Sequence, residues 1–418
     1  MEFIKIIKGD IKQFVENWNF NDWCIAYLLI FSMAYIKLAA IGIVVFLLIV
    51  WFNREEKNQF FKRLLNFRQQ EFWFVLFFLF HILGMFWSEN TAFGISDISM
   101  KLSFFILPTI LLLAKINITA KQIQQIFLFG LTFSLFLLYS MAIFKSIYNR
   151  ENNHWAYFFE SEFSSFMHRS YYATYLSIGA VISFVQFFNL SERKIYGSLF
   201  FLFSFSLLLT MSKAGVIVYL FSMLILIFWL FLKKKMFVIG GITIIGLLSV
   251  ILTMGYFNIG VSQRFYEMVK TENGVKTINN PSTESNNARI IMWSTSLKVI
   301  KENLPFGTGT GDIKDELIKK NISLNNIGVV KSKLNSHNQF LNSAVQLGIL
   351  GIIAMCGIFI TQLYKAISLK SVDLFLMTFI FILSFLVESF LETQAGIIPF
   401  TLMSLLFYRQ FETTKVKH

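Results

Sequence analysis

Ser336-His337-Asn338 carries the residue best suited to moving a proton. It stands where a polar stretch enters an apolar run, and Asn335 or Ser336 is expected to cap the helix that starts there. That puts His337 in the first turn. A helix N-terminus disfavours imidazolium, so the ring is expected to stay neutral and able to accept a proton, as a general base must. The competing reading is a polar residue at a membrane interface, and the pattern weighs the two evenly.

Cations gather in the same part of the chain. Thr210-Met211-Ser212-Lys213-Ala214-Gly215 forms the tip of a tight hairpin between two apolar runs and holds Lys213 at the membrane edge. Lys213 either snorkels or presents a fixed charge to an anionic headgroup. Arg169 opens another apolar run after Met167-His168, and Arg264 follows a third. Arg289 lies four residues before Trp293, so the two share a helix face. Spacing alone favours an arginine that snorkels or stacks on Trp293. The four cations ring one mouth. Ile290, Trp293, Leu297, Ile300 and Leu304 form an apolar stripe at helical spacing, so their helix is expected to lie on something apolar, either the membrane surface or the mouth of the bundle.

Glu388 and Glu392 close an apolar run, four apart on one expected helix face. A carboxylate in a span is expensive and usually partnered, so the pair is read as holding one of the cations. His81, inside a span, is expected to pack or to bind an internal carbonyl. Pro305-Phe306-Gly307-Thr308-Gly309-Thr310-Gly311 lacks the Lys-Ser/Thr ending of a phosphate loop and is read as the turn ending the Arg289 helix, with backbone anion binding a weak second reading. Nothing in the sequence asks for a divalent metal or a cofactor.

The elements that must position these residues are membrane helices. Of 418 residues, 56% are hydrophobic and 15% charged, against about 25% charged in a soluble domain. The mean hydropathy is +0.62. The expected architecture is all-α and polytopic, a single integral membrane domain over 1–418. Twelve spans are expected, at about 20–36, 38–52, 72–87, 102–114, 123–147, 169–189, 195–211, 214–232, 236–256, 338–361, 372–390 and 395–408. The first two form either a tight hairpin or one long tilted helix, and Pro108 is expected to kink the fourth.

The net charge of +13 sits largely in short loops, which argues against nucleic acid. With the N-terminus inside, Lys and Arg concentrate in the inner loops, while Lys37, Lys101, Arg150, Arg169 and Lys213 fall outside. This places one large loop, 258–337, on the outer side. That loop is expected to open with a short helix at Ser262–Val269. Cys24 and Cys356 lie in apolar runs and suggest neither a disulfide framework nor a zinc site. No internal repeat is visible, which weighs against a two-halved transporter.

At these residues the chain resembles the O-antigen ligase and O-antigen polymerase superfamily of bacterial envelope glycosyltransferases. The resemblance rests on Thr210–Gly215, Arg289 with Trp293, Pro305–Gly309, and His337-Asn338 running through Gln346–Gly351. It implies a GT-C-like helical membrane fold with a large periplasmic loop. It also implies metal-independent glycan transfer from an undecaprenyl-diphosphate carrier to an acceptor such as lipid A–core, at the periplasmic face of the inner membrane. On this reading Arg289 binds the diphosphate, with Lys213, Arg169 and Arg264 as further cations, and His337 is the catalytic base. Glu388, Trp293 and Asn338 support the site. The family's ligases often carry Ser-Arg where this chain has Ser212-Lys213, which leaves ligase and polymerase both open. A protein O-glycosyltransferase of the same fold and, in a different class, a polysaccharide-lipid flippase are the remaining alternatives.

Overall fold

A computed structural model describes residues 14–53, 57–148, 154–189, 193–234 and 286–413. Among them there are helices and no strand. The first group is α1 (Phe20–Ala34), α2 (Ile36–Asn53), α3 (Lys57–Leu64), α4 (Gln70–Gly84), α5 (Thr91–Lys101), α6 (Ser103–Leu113) and α7 (Ala120–Tyr148). Next come α8 (Glu160–Phe163), α9 (Arg169–Asn189), α10 (Arg193–Leu209) and α11 (Lys213–Lys234). The chain continues through α12 (Asn286–Asn303), α13 (Ile313–Ser323), α14 (Ile327–Lys331), α15 (Gln339–Ser368), α16 (Val372–Val387) and α17 (Gln394–Thr413).

Every expected span within the described residues falls on a helix, and the run at 236–256 lies outside them, as do Ser262–Val269 and Arg264. Among the described residues, six helical stretches are long and apolar enough to cross a bilayer, and four shorter apolar helices accompany them. These helices mark a membrane protein. The first two apolar runs form a hairpin. Tyr35 is extended between them, and a Cβ on Gly42 would fall 2.5 Å from the Tyr27 ring and 3.0 Å from Leu28, a contact one continuous helix cannot make. The fourth span is longer than its apolar run. Residues Thr91–Leu113 pass as one 23-residue stretch, with Pro108 inside α6. Lys101 is therefore no loop cation but a buried side chain at the end of α5, midway along that stretch.

α9 is the central helix, largely buried and packed against α10, α11 and α16. Its small residues let neighbours approach closely. A Cβ on Gly215 would fall 2.3 Å from Ala173 Cβ, so the start of α11 rests directly on α9. Ser212 caps α11, its hydroxyl accepting the Gly215 N–H at 3.1 Å.

α15 breaks at Gly348, whose φ of 61° and ψ of −139° are left to glycine. The Gly-rich loop after α12 fills the break. Thr308 and Gly309 donate their N–H groups to the Val345 and Gln346 carbonyls at 2.8 and 3.0 Å, and Ile349 donates to the Pro305 carbonyl at 2.9 Å. Thr310 N and Gly311 N continue onto the Gly84 carbonyl and Ser88 Oγ. Loop backbone thus replaces the helical bonds lost at the break. The expectation of a simple helix-ending turn is too weak a description, and these four amides are already committed within the protein, which removes the anion-binding reading for them.

Candidate active site at one end of the bundle

Three helix starts and one helix end meet at one place. Ser212 before α11 donates to Ser170 on α9 at 3.3 Å. Ser170, Thr174, Gly215, Ser384, Val387 and Glu388 line one narrow cleft there. Glu388 follows α16, and His337 precedes α15. Helix N-termini carry partial positive charge, so this end of the bundle favours an anion.

His337 lies outside α15, not in its first turn. The cap is Asn338, whose Oδ1 accepts the Leu341 N–H at 3.0 Å, and His337 takes a left-handed φ of 45°. Asn335 serves the turn instead, accepting the His337 N–H at 3.0 Å. Such a φ is uncommon for a residue other than glycine and recurs at functional sites. It leaves the imidazole off the helix axis, so a carboxylate rather than a helix terminus orients the ring. His337 Nδ1 is 3.2 Å from Glu388 Oε1, and the two side chains are 12% and 6% exposed.

The only proton that Nδ1 can share with an ionised carboxylate is its own, so Nδ1–H donates to Glu388, and in the neutral ring the lone pair lies on Nε2. Nε2 is buried without a protein partner. Burial by itself would raise the Glu388 carboxyl. The His337 hydrogen bond and the charges of His337, His168 and Arg289 outweigh it and hold Glu388 below the ordinary glutamate range.

Arg289 joins the pair from the other side. One guanidinium nitrogen is 3.9 Å from Glu388 Oε2, beyond a hydrogen bond, and its Nε is buried with no partner. Two ties fix α12 to the histidine segment. Trp293 Nε1 donates to the His337 carbonyl at 3.3 Å, and Ser296 Oγ donates to Ser336 Oγ at 3.0 Å. Trp293 thus anchors one helix turn beyond Arg289.

α12 buries one face in protein and leaves much of its apolar stripe exposed. Ala288, Met292, Thr295, Ser296 and Val299 point inward, packing with Ile313, Leu317, Val329 and Val345, while Ile290, Leu297 and Leu304 are more than half exposed. Periodicity finds an apolar stripe but does not say which stripe meets protein.

Arg169 opens α9, nearly buried, with Glu160 Oε2 at 3.7 Å. Lys213 opens α11, half-buried. His168, passed over in the sequence, stands at the rim of the cluster. Partial desolvation lowers its basicity; Glu388 opposes this, and the charges of Arg169, His337 and Arg289 add to the lowering. Its one sequence signal is its place directly before Arg169.

Glu388 and Glu392 do not share a helix face. α16 ends at Val387, Glu388 is extended, and Glu392 ends a short 3₁₀ turn. Glu388 serves the histidine and Glu392 a separate buried network with Lys101. His81 lies apart, its Nδ1 2.8 Å from the Phe77 carbonyl. Among the described residues no three His, Cys, Asp or Glu side chains form a group that could hold a metal.

Residues 198–356 match the family model described as O-antigen ligase. The span contains the Ser212-Lys213 hairpin, Arg289, the Pro305–Gly311 loop and His337, so the resemblance to the O-antigen ligase superfamily holds across these motifs. Arg169 and Glu388 lie outside it. An uncharacterized protein of Haemophilus influenzae is 25% identical over 354 residues, covering 80% of this chain and 79% of that protein.

Proposed function

From the O-antigen ligase match we propose that this protein transfers a glycan from an undecaprenyl-diphosphate carrier to an acceptor hydroxyl at the outer face of the bacterial inner membrane. Lipid A–core is the acceptor we favour; a second lipid-linked repeat would make the protein a polymerase. The observation that carries the reading is the Glu388–His337 pair, with Nε2 unpartnered and Arg289 beside it. A carboxylate-held imidazole with a free lone pair suits general-base chemistry, and a guanidinium held only at 3.9 Å from Glu388, its Nε without a partner, suits a phosphate oxygen.

The step runs as a single displacement. The acceptor oxygen attacks the anomeric carbon while its proton passes to His337 Nε2. The bond from that carbon to the diphosphate oxygen breaks, and its electron pair leaves with the diphosphate. Glu388 steadies the imidazolium until solvent takes the proton, as the carboxylate does in a hydrolase triad. Arg289, with Lys213 and Arg169 nearby, meets the charge that grows on the leaving group, work that other enzymes assign to a divalent ion. Attack opposite the leaving group inverts the anomeric centre.

The test separates binding from transfer. His337→Ala should bind the lipid-linked donor normally and transfer almost none. Arg289→Ala should lose about 10²- to 10³-fold in rate, as when one preorganised donor is removed. Arg289→Lys should recover only part, because the two-pronged contact is gone. Near-normal transfer by either alanine variant would leave the interface reading of His337 or the snorkelling reading of Arg289. In cells lacking the protein, no polymer on lipid A points to ligase, and single repeats on lipid A point to polymerase.

A further inference from the structure

Lys101 sits inside an apolar span, 1% exposed, where an unpaired ammonium is strongly disfavoured. Asp97, one turn earlier, meets it at 2.5 Å, and Glu392 lies 3.8 Å away. Gln346 Nε2 donates to the second Asp97 oxygen at 2.8 Å and to the Thr310 carbonyl at 2.9 Å. Asn342 Nδ2 donates to Glu392 at 2.7 Å. Two carboxylates share one buried cation.

Glu392 is the fifth residue of a six-residue strap, Glu388 to Thr393, that joins α16 to α17. Apart from the contacts of Glu388 itself with His337 and Arg289, the strap's other ties are neutral. Tyr171 Oη donates to the Ser389 carbonyl at 2.9 Å, the Leu391 N–H donates to Gln339 Oε1 at 2.7 Å, and Phe390 packs on Tyr171 and Phe385. Charge-assisted contacts are the stronger kind. Without Lys101, the Glu392 carboxylate would have to take up a proton or move toward water, because a buried charge without a partner is not tolerated. Moving would shift the strap and Glu388 with it. Through Gln346 and Thr310 the network also reaches the loop that seats α12, the helix carrying Arg289.

We propose that Lys101 is a positioning residue for glycan transfer: by holding Glu392 it fixes the strap that sets Glu388 against His337. The inference rests on the transfer reading above and extends it to a side chain inside the membrane.

A double-mutant cycle tests it in the purified full-length protein. The probe is an undecaprenyl-diphosphate-linked oligosaccharide, with the acceptor that supports wild-type turnover. Lys101→Met should lower kcat on the order of 10²-fold, the loss expected for a displacement of about 1 Å at the reacting groups, with donor KM little changed. Lys101→Arg keeps the charge and should recover most of that loss. Added to Glu388→Gln, Lys101→Met should cost little more, because its effect runs through a carboxylate already removed. Losses that multiply, or a Lys101→Met enzyme with wild-type kcat, overturn the inference while the transfer reading stands. A fully active Glu388→Gln overturns the inference together with the orienting role of Glu388, whereas a wild-type protein that transfers no glycan overturns the transfer reading. Should Lys101→Met fail to insert, Glu392→Gln takes its place in the cycle, with the same non-additivity expected and the same multiplication of losses overturning it.

Discussion

Glu388→Gln is the sharpest single perturbation. The substitution keeps the side chain's size and removes the charge 3.2 Å from His337 Nδ1. An amide can donate its N–H to Nδ1, which moves the ring proton to Nε2, and a protonated Nε2 cannot accept the acceptor's proton. Replacing the carboxylate of a hydrolase triad by its amide lowers kcat about 10⁴-fold for this reason. The new amide can also flip so that its oxygen accepts from Nδ1, so a loss of about 10²- to 10⁴-fold is expected here, roughly 3–5 kcal/mol in the barrier. Donor affinity should hold or rise, because Arg289 loses the carboxylate 3.9 Å away that competes with the diphosphate. Single-turnover transfer with preloaded donor reads the chemical step, and a separate binding titration reads affinity. A transfer rate within about threefold of wild type, or a loss confined to donor affinity, would refute Glu388 as the orienting group. The same variant should change acid stability. Glu388 is held below the ordinary range in the folded protein, so it stays ionised there when the unfolded chain has already taken its proton. Its contribution is complete above the unfolded value, about pH 4.3, and is lost as pH falls through the depressed folded value. Glu388→Gln should therefore flatten the acid limb of the stability curve, and an unchanged limb would contradict the assignment.

Gly348→Ala should destabilise the protein by about 3 kcal/mol through backbone strain alone, since φ is +61° and the new methyl would fall 2.0 Å from the Pro305 carbonyl oxygen. Melting in detergent measures this, and transfer activity should fall with it as the loop seating α12 is expelled; an unchanged melting temperature would sink the account of the helix break. Sidedness follows from the Lys and Arg bias. With Cys24 and Cys356 replaced, cysteines at the exposed positions Lys319 and Lys370 should react with an impermeant thiol reagent from opposite sides of the membrane. Labelling from one side would overturn the proposed orientation.

The apolar runs alone were enough to place the helices, because crossing a bilayer depends on length and composition that any window of sequence displays. Eleven of the expected runs lie on helices. His337 and Arg289 were also legible, as polar side chains where apolar runs begin or end. Which groups meet was not. Glu388 reaches His337 across 51 positions, and Glu392 meets Lys101 inside the membrane across a far larger separation. A run of glycines says that backbone comes close to something, but only packing shows that it is the break in α15. The stripe on α12 is a related case. Helical periodicity defines a face, whereas burial depends on what stands opposite, and Met292 and Val299 won that place over Ile290 and Leu297. Contacts of this range belong to tertiary structure, because each partner is set by how whole helices pack and not by the residues on either side of it.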